Sequence, residues 1–312
     1  MKRHRADLKN IRTIALDRRK CKVAIKDFAK TAKRRGSFAD FYESLPDILA
    51  ARNLKCVVDA IVGAYRKKKV VIVMMGAHVI KCGLSPVIID LMKRGVVKAI
   101  ALNGAGIIHD TEIAMIGRTS EDVGEGLVDG TFGMARETAG FINGAIESGF
   151  RKGTGIGEAL GEAICKAKLP NRSLSILANG HELNVPVTVH VAIGTDIIHQ
   201  HPSANGEAIG AGSLLDFKNF IYSVSNLEGG VALNFGSAVI LPEVFLKALT
   251  VSRNLHSAPK SFTAANFDMI YQYRPQQNVV SRPTSTGGKG YNIIGHHELM
   301  IPLVYRAIIE KI

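Results

Sequence analysis

Apolar residues fall along this chain in short uninterrupted runs that stop at glycine, separated by longer segments in which they recur every three or four residues. Residues 70–75 (VVIVMM) form such a run and end at Gly76. A periodic segment over 79–92 stops at Gly95, and a second run over 96–102 ends in Asn103-Gly104-Ala105-Gly106. Runs that are apolar throughout, joined by a helix of about a dozen residues, predict parallel strands covered on both faces and a right-handed βαβ unit.

The pattern continues downstream. Residues 185–192 predict a strand ending at Gly194-Thr195-Asp196, 212–226 a helix, 230–233 a strand with its turn at 234–237, and 242–253 a helix. Residues 267–273 predict a strand and 299–309 a closing amphipathic helix. Between the second and third strands, 111–116 begin a helix, 117–133 are irregular and glycine-rich, and glycines divide 134–168 into at least two helices, 134–150 and 157–166. Residues 174–178 read as a short strand or helix. Residues 37–65 read as helical with a break at Ser44-Leu45-Pro46, and 23–32 as an amphipathic basic helix. No repeat of fixed period occurs, which excludes a solenoid. Strand and helix alternating throughout predict one doubly wound α/β domain over 37–312, with a Rossmann-like parallel sheet, behind an extension over 1–36. Ligands of such sheets sit outside the carboxyl ends of the strands, which places candidate residues in the glycine turns.

Charge changes the picture at one end only. The net charge is +13, yet residues 1–36 hold 14 Lys or Arg against three Asp, and the rest of the chain holds 26 against 24 acids. The arm is basic and the body nearly neutral. Aromatic residues are almost absent from the arm, which favours a solvated or subunit-clasping extension over a nucleic-acid contact. Four widely spaced cysteines form no C-x-x-C pair and fit a reducing cytoplasm. No secretory leader is visible, and no apolar run reaches the roughly 18 residues of a membrane span.

Chemistry gathers in the turns. Gly104-x-Gly106 lacks the third glycine and the following acid of a dinucleotide fingerprint. Four glycine turns at strand ends still favour a nucleotide, because amides at helix starts bind phosphate. Asn103, His109, Asp110 and Glu112 crowd one turn. Thr195 and Asp196 crowd another, followed by His199-Gln200-His201. His109 and His199 are candidate acid-base groups, since imidazole titrates near neutrality. The histidine spacing matches no metal motif, so no metal site is assigned. Residues 269–297 contain no acid but carry Arg274, Arg282 and Lys289. Folded over the strand ends, that segment would offer guanidinium and ammonium donors to a phosphate or carboxylate.

From about Ser37 to the C-terminus the chain resembles the deoxyhypusine synthase family. The resemblance rests on MGAHVIKCGLSPVIIDLMKRGVVKAIALNGAGIIHD, on VPVTVHVAIGTD before a helix, on the turn near LNFGSAV, on ANFDMIYQY leading to SRPTS, and on ELMIPLVYRAI, in that order. It implies a Rossmann-like parallel sheet, NAD at the carboxyl ends, and a homotetramer with sites at subunit interfaces. In that family NAD oxidises spermidine, and the aminobutyl group passes through an enzyme lysine to a protein lysine. Gly76, Ala77 and His78, Asn103, Gly104, Ala105 and Gly106, and Thr195 and Asp196 fall where the family contacts NAD. His109 and Asp110 fall on its carboxylate pair for the polyamine, where only Asp110 keeps the charge. The imine-forming lysine that follows the turn at Gly236 is missing here: Ala238-Val239-Ile240-Leu241 stand in its place and Lys247 lies farther along the next helix.

These residues and the resemblance together imply an NAD-binding protein with His109, Asp110 and Asp196 as catalytic candidates. Arg274, Arg282 and Lys289 would receive a small, anionic substrate. Two alternatives stand beside it: a polyamine-dependent aminobutyl transferase of deoxyhypusine or homospermidine synthase type with a displaced lysine, and a non-catalytic oligomeric binding protein. NAD and NADP are not distinguished.

Overall fold

The structure is a computed structural model, and it describes residues 5–255 and 259–312. It divides into two units, one ending at Arg52 and one running from Asn53 to Ile312. In the first unit the described residues of the basic arm carry only isolated turns of 3-10 helix, at Leu16–Arg18 and Ile25–Asp27, in place of the helix its sequence predicts. Among the described residues its large apolar side chains, Leu8, Ile11, Ile14, Leu16, Val23, Ile25 and Phe28, stay exposed, so no packed face rewards helix formation. Helix α1 (Phe38–Ser44) starts at a capping box in which the Ser37 hydroxyl accepts from the Asp40 amide and Asp40 Oδ2 accepts from the Ser37 amide, and α2 (Leu49–Arg66) follows it in the chain.

In the second unit six parallel strands, β1 (Val71–Met75), β2 (Ala99–Asn103), β3 (Val187–His190), β4 (Val231–Phe235), β5 (Thr263–Asp268) and β6 (Lys289–Ile294), form one sheet. Their order is β3-β2-β1-β4-β5-β6. The chain winds outward from β1 in one direction to β3, then returns to the far side of β1 for β4, so the switch point lies between β1 and β4. Every residue of β1 and β4 is buried, as two covered faces require. Against one face, Ile72, Met74, Ala99 and Ala101 pack with Phe220 and Val224 of α10 (Gly206–Ser225) and Phe245 and Leu249 of α11 (Ile240–Asn254).

Several predicted boundaries move for local reasons. The segment after β1 is two helices, α3 (His78–Lys81) and α4 (Ser85–Lys93), because Gly83 turns at φ +74° between them. Helix α5 (Gly104–Ile116) begins at once after β2, seven residues earlier than the pattern predicts. The irregular stretch contains α6 (Val123–Asp129), and the glycine-divided region folds as α7 (Arg136–Lys152) and α8 (Ile156–Lys166), followed by α9 (Ile176–Leu183). β5 lies upstream of the predicted 267–273, where the apolar residues Met269, Ile270 and Tyr271 are exposed. Residues 273–284 form a helical crossover of α12 (Tyr273–Pro275), a π-turn and α13 (Arg282–Thr284), which returns the chain to the amino end of β6. Helix α14 (His297–Ile309) closes the unit. Among the described residues no helix is long and apolar enough to cross a membrane.

Candidate functional site

Beyond β2 and β3 the strand ends converge on a buried carboxylate. Asn103 caps α5, its Oδ1 accepting from the Gly106 amide at 3.0 Å. The first residue of that helix has no room for a side chain: a Cβ on Gly104 would stand 1.9 Å from Asp196 Oδ2. Asp196 therefore rests on the opening turn of α5. Its Oδ2 is buried without a hydrogen-bond partner, and burial pushes its pKa up to about 6.

His199 faces it. The ring Nδ1 accepts from the backbone amides of Gly194 at 3.1 Å and Asp196 at 3.3 Å, which leaves the neutral ring's proton on Nε2. That atom is 3.9 Å from Asp196 Oδ2, beyond hydrogen-bond reach, and it too is buried and unpartnered. Burial lowers the pKa of His199.

Asp196 lines a cavity of about 250 Å3 together with Lys81, His109, Glu112 and Glu121. His109 Nδ1 lies 2.7 Å from the hydroxyl of Thr119. The same hydroxyl donates to Glu112 Oε2, and Glu112 Oε1 accepts from Thr138 at 3.0 Å. Burial lowers the pKa of His109, Glu112 opposes that shift, and Lys81 adds to it.

Asp110 does not join this group. One residue along a helix is about 100° around its axis, and Asp110 faces the interior. Its carboxylate accepts from Ser175 Oγ at 2.5 Å and from the amides of Ile176 at 2.7 Å and Leu177 at 3.2 Å, which caps α9. Burial raises its pKa to about 6 against those three bonds.

A second cluster stands at the switch point. Gly76 and Gly236 meet there: a Cβ on Gly76 would lie 2.9 Å from Gly236 O. Gly236 has φ +65°, and a Cβ on it would lie 2.4 Å from His297 Nε2. His297, at the start of α14, is buried with Nδ1 unpartnered, its ring centroid 5.9 Å from that of the exposed His78. Burial lowers its pKa and Asp268 pulls it upward. Beside it, side chains in register link three strands: Asn234 Nδ2 donates to Asn266 Oδ1 at 2.7 Å and Asn266 Nδ2 to Asn292 Oδ1 at 2.7 Å. Asn234 Oδ1 is buried without a donor. Sequence reading missed this row, although Ala232-Leu233-Asn234-Phe235 and Ala264-Ala265-Asn266-Phe267 repeat the same signature.

The remaining predicted residues are dispersed. Ala105 and Thr195 line the cavity of Asp196 and His109, the exposed Thr195 donating its hydroxyl to Ala192 O at 2.8 Å, whereas Ala77 leads into α3. Arg274 lies 3.6 Å from Glu243 on α11, and Arg282 donates to Asn278 Oδ1 at 2.8 Å within its own crossover. Lys289 opens β6 at the amino edge of the sheet, where it lines a separate cavity of about 490 Å3 with Lys67, Gly229 and Gly230. The two arginines sit on the helical crossover and Lys289 at the amino edge, so these cations do not line the acidic cavity. Among the described residues no group of three or more His, Cys, Asp or Glu is arranged to hold a metal ion.

Comparison with known proteins rests on structure. No protein-family model matches the chain, and no curated protein matches its sequence. A Methanococcus maripaludis S2 protein provisionally assigned as a conserved LOR/SDH protein aligns over 94% of this chain and 75% of its own at 13% identity and TM-score 0.54. AgrE, in its ternary complex with ornithine and NAD+, aligns over 84% of this chain at 17% identity and TM-score 0.55, and the chain spans 34% of AgrE. A provisionally assigned deoxyhypusine synthase from Entamoeba histolytica aligns over 90% of this chain and 97% of its own at 11% identity and TM-score 0.54. The fold is of the deoxyhypusine synthase-like, Rossmann-like kind shared by these proteins.

Proposed function

We propose that the chain binds NAD along the carboxyl edge of its sheet and acts there on a small substrate bearing amine or hydroxyl donors. The carrying observation is Asp196, a buried carboxylate held against Gly104 with Oδ2 unpartnered. His199 Nε2, Asn234 Oδ1 and His297 Nδ1 are likewise buried without partners along this edge. Leaving such an atom unpaired costs about 1–3 kcal/mol, and the hydroxyls and carboxamide of a nicotinamide nucleotide offer matching donors and acceptors. Phosphate fits the opening of α5 poorly, because Asp196 already covers it. Bound there, NAD would supply a hydride acceptor. AgrE, on a similar fold, was crystallised with both ornithine and NAD+, which supports the pairing of this cofactor with an amine.

The cavity also argues for the sign of the substrate. Glu112, Glu121 and Asp196 face a single lysine, Lys81. That balance favours a cationic or donor-rich molecule over the anion expected from Arg274, Arg282 and Lys289. A homotetramer belongs to the same reading through the family resemblance, with sedimentation velocity as its check. NAD at one hundred times its dissociation constant should stabilise the full chain by about 2.7 kcal/mol, seen as a raised melting temperature. A melting temperature unmoved by millimolar NAD would overturn the reading.

Lys81 favours a second reading. It is an amine lining the same acidic cavity, in a chain that lacks a lysine just after Gly236. An imine on Lys81 would let the protein transfer an aminobutyl group by a displaced route. Borohydride trapping with labelled spermidine should then tag the peptide carrying Lys81, and an untagged protein disposes of it.

A further inference from the structure

We infer that Glu112, Thr119 and His109 form a directed hydrogen-bond relay that fixes His109 as the proton acceptor of the cavity, aimed at the amine or hydroxyl of the substrate. The inference rests on the reading above for its substrate class. Its geometry stands independently.

The direction of the relay follows from counting protons. Glu112 accepts at both oxygens, from Thr138 at 3.0 Å and from Thr119. A threonine hydroxyl has one proton, and Thr119 gives it to Glu112. Toward His109, 2.7 Å away, the Thr119 oxygen can only accept. His109 Nδ1 must therefore carry hydrogen, and in the neutral ring Nε2 is left with a lone pair. No side chain of the protein bonds Nε2 among the described residues, and the ring lines the cavity. Thr138 keeps Glu112 from rotating away. Glu112 and His109 are three residues apart on α5, hence neighbours on one helix face, while Thr119 reaches back from beyond its C-terminal cap Gly117.

The charged groups around the ring are Glu112 on its own helix, Lys81 on α3, Glu121 in the following loop and Asp196 beyond β3. A substrate donor pointing at His109 Nε2 leaves Asp196 Oδ2 to accept a second donor, which matches a molecule carrying two amine or hydroxyl groups. Bound NAD+ would supply the acceptor for the hydride of the substrate C–H bond. His109 Nε2 would take the proton of the N–H or O–H bond as the C=N or C=O bond forms. Glu112 then faces an imidazolium through Thr119, which favours the protonated ring as the transfer proceeds. Glu112, Thr119 and Thr138 are positioning residues in this arrangement.

The relay is testable in the full chain without NAD or substrate. Diethyl pyrocarbonate acylates an unprotonated imidazole nitrogen, and peptide mass spectrometry reports His109 against the exposed His78 in the same digest. Glu112→Gln offers Thr119 a donor, which reverses the chain and moves the His109 proton to Nε2. Thr119→Val breaks the relay, and Thr119→Ser preserves it. The His109-to-His78 ratio at neutral pH should fall about tenfold, the equivalent of one pKa unit, in Glu112→Gln and Thr119→Val. It should return to wild type in Thr119→Ser, with circular dichroism unchanged throughout. An unaltered ratio in Glu112→Gln or Thr119→Val, or failure of Thr119→Ser to restore it, overturns the inference. Because NAD is absent, either result is separate from whether the nucleotide binds.

Discussion

Asp110 and Asp196 are two buried carboxyls with pKa values pushed to about 6, and they differ in what they hold. Asp110 is saturated by Ser175, Ile176 and Leu177, whereas Asp196 has an oxygen without a partner. Asp110→Asn should lower stability by about 1–3 kcal/mol, because an amide cannot accept all three bonds, and urea unfolding measures it. Asp196 has a folded pKa above its ordinary 3.8, so its contribution is fully present below pH 4 and is lost as pH rises through 6. Asp196→Asn should accordingly stabilise the protein by about 1–3 kcal/mol at pH 8 and hardly at all at pH 4, in melts run across that range. An equal effect at both values would contradict the burial of the charge. At this scale the sequence pointed to Asn103, Gly104, His109 and Asp196 because turn residues after apolar runs are legible. Thr138 and His297 depend on contacts between distant segments, Thr119 on a loop that folds back past the end of α5, and the asparagine row showed only in the repeated Ala-x-Asn-Phe of β4 and β5.

The elements of the sheet are set by close backbone approaches at glycine. Gly236→Ala would force a positive φ on an L-residue and drive a methyl into His297. A loss of about 1–3 kcal/mol is expected, together with new reactivity of His297 toward diethyl pyrocarbonate. Gly157→Ala meets backbone: its Cβ would lie 1.8 Å from Val187 O, so α8 would have to move off β3. That substitution should cost at least about 3 kcal/mol by urea unfolding, and a near-neutral result would contradict the packing of α8 on β3. The strands β1 to β4 were readable because residues buried on both faces leave long apolar runs. β6 was hidden, since Lys289-Gly290-Tyr291-Asn292 at an edge carries no apolar run and lies within an acid-free segment that resembled a loop.

The whole second unit presents two edges with different character. The carboxyl edge gathers the unpartnered atoms Asp196 Oδ2, His199 Nε2, Asn234 Oδ1 and His297 Nδ1, and the amino edge has the roomier cavity beside Lys67 and Lys289. Strand order, more than cavity size, decides where a ligand belongs, because only at the carboxyl ends around the switch point do turns and helix starts open outward together. The alternation of strand and helix made the fold class legible, and the resemblance suggested the NAD that we propose. The arginines of 269–297, which suggested an anion in sequence, sit on a crossover and do not line the acidic cavity. Hydrogen–deuterium exchange of the full chain with and without NAD tests this account most directly. Slowed exchange at 76–82, 104–109, 194–199 and 234–239 is the predicted result. Unchanged exchange there, or protection confined to 63–69, 229–230 and 287–291 at the amino edge, would contradict it.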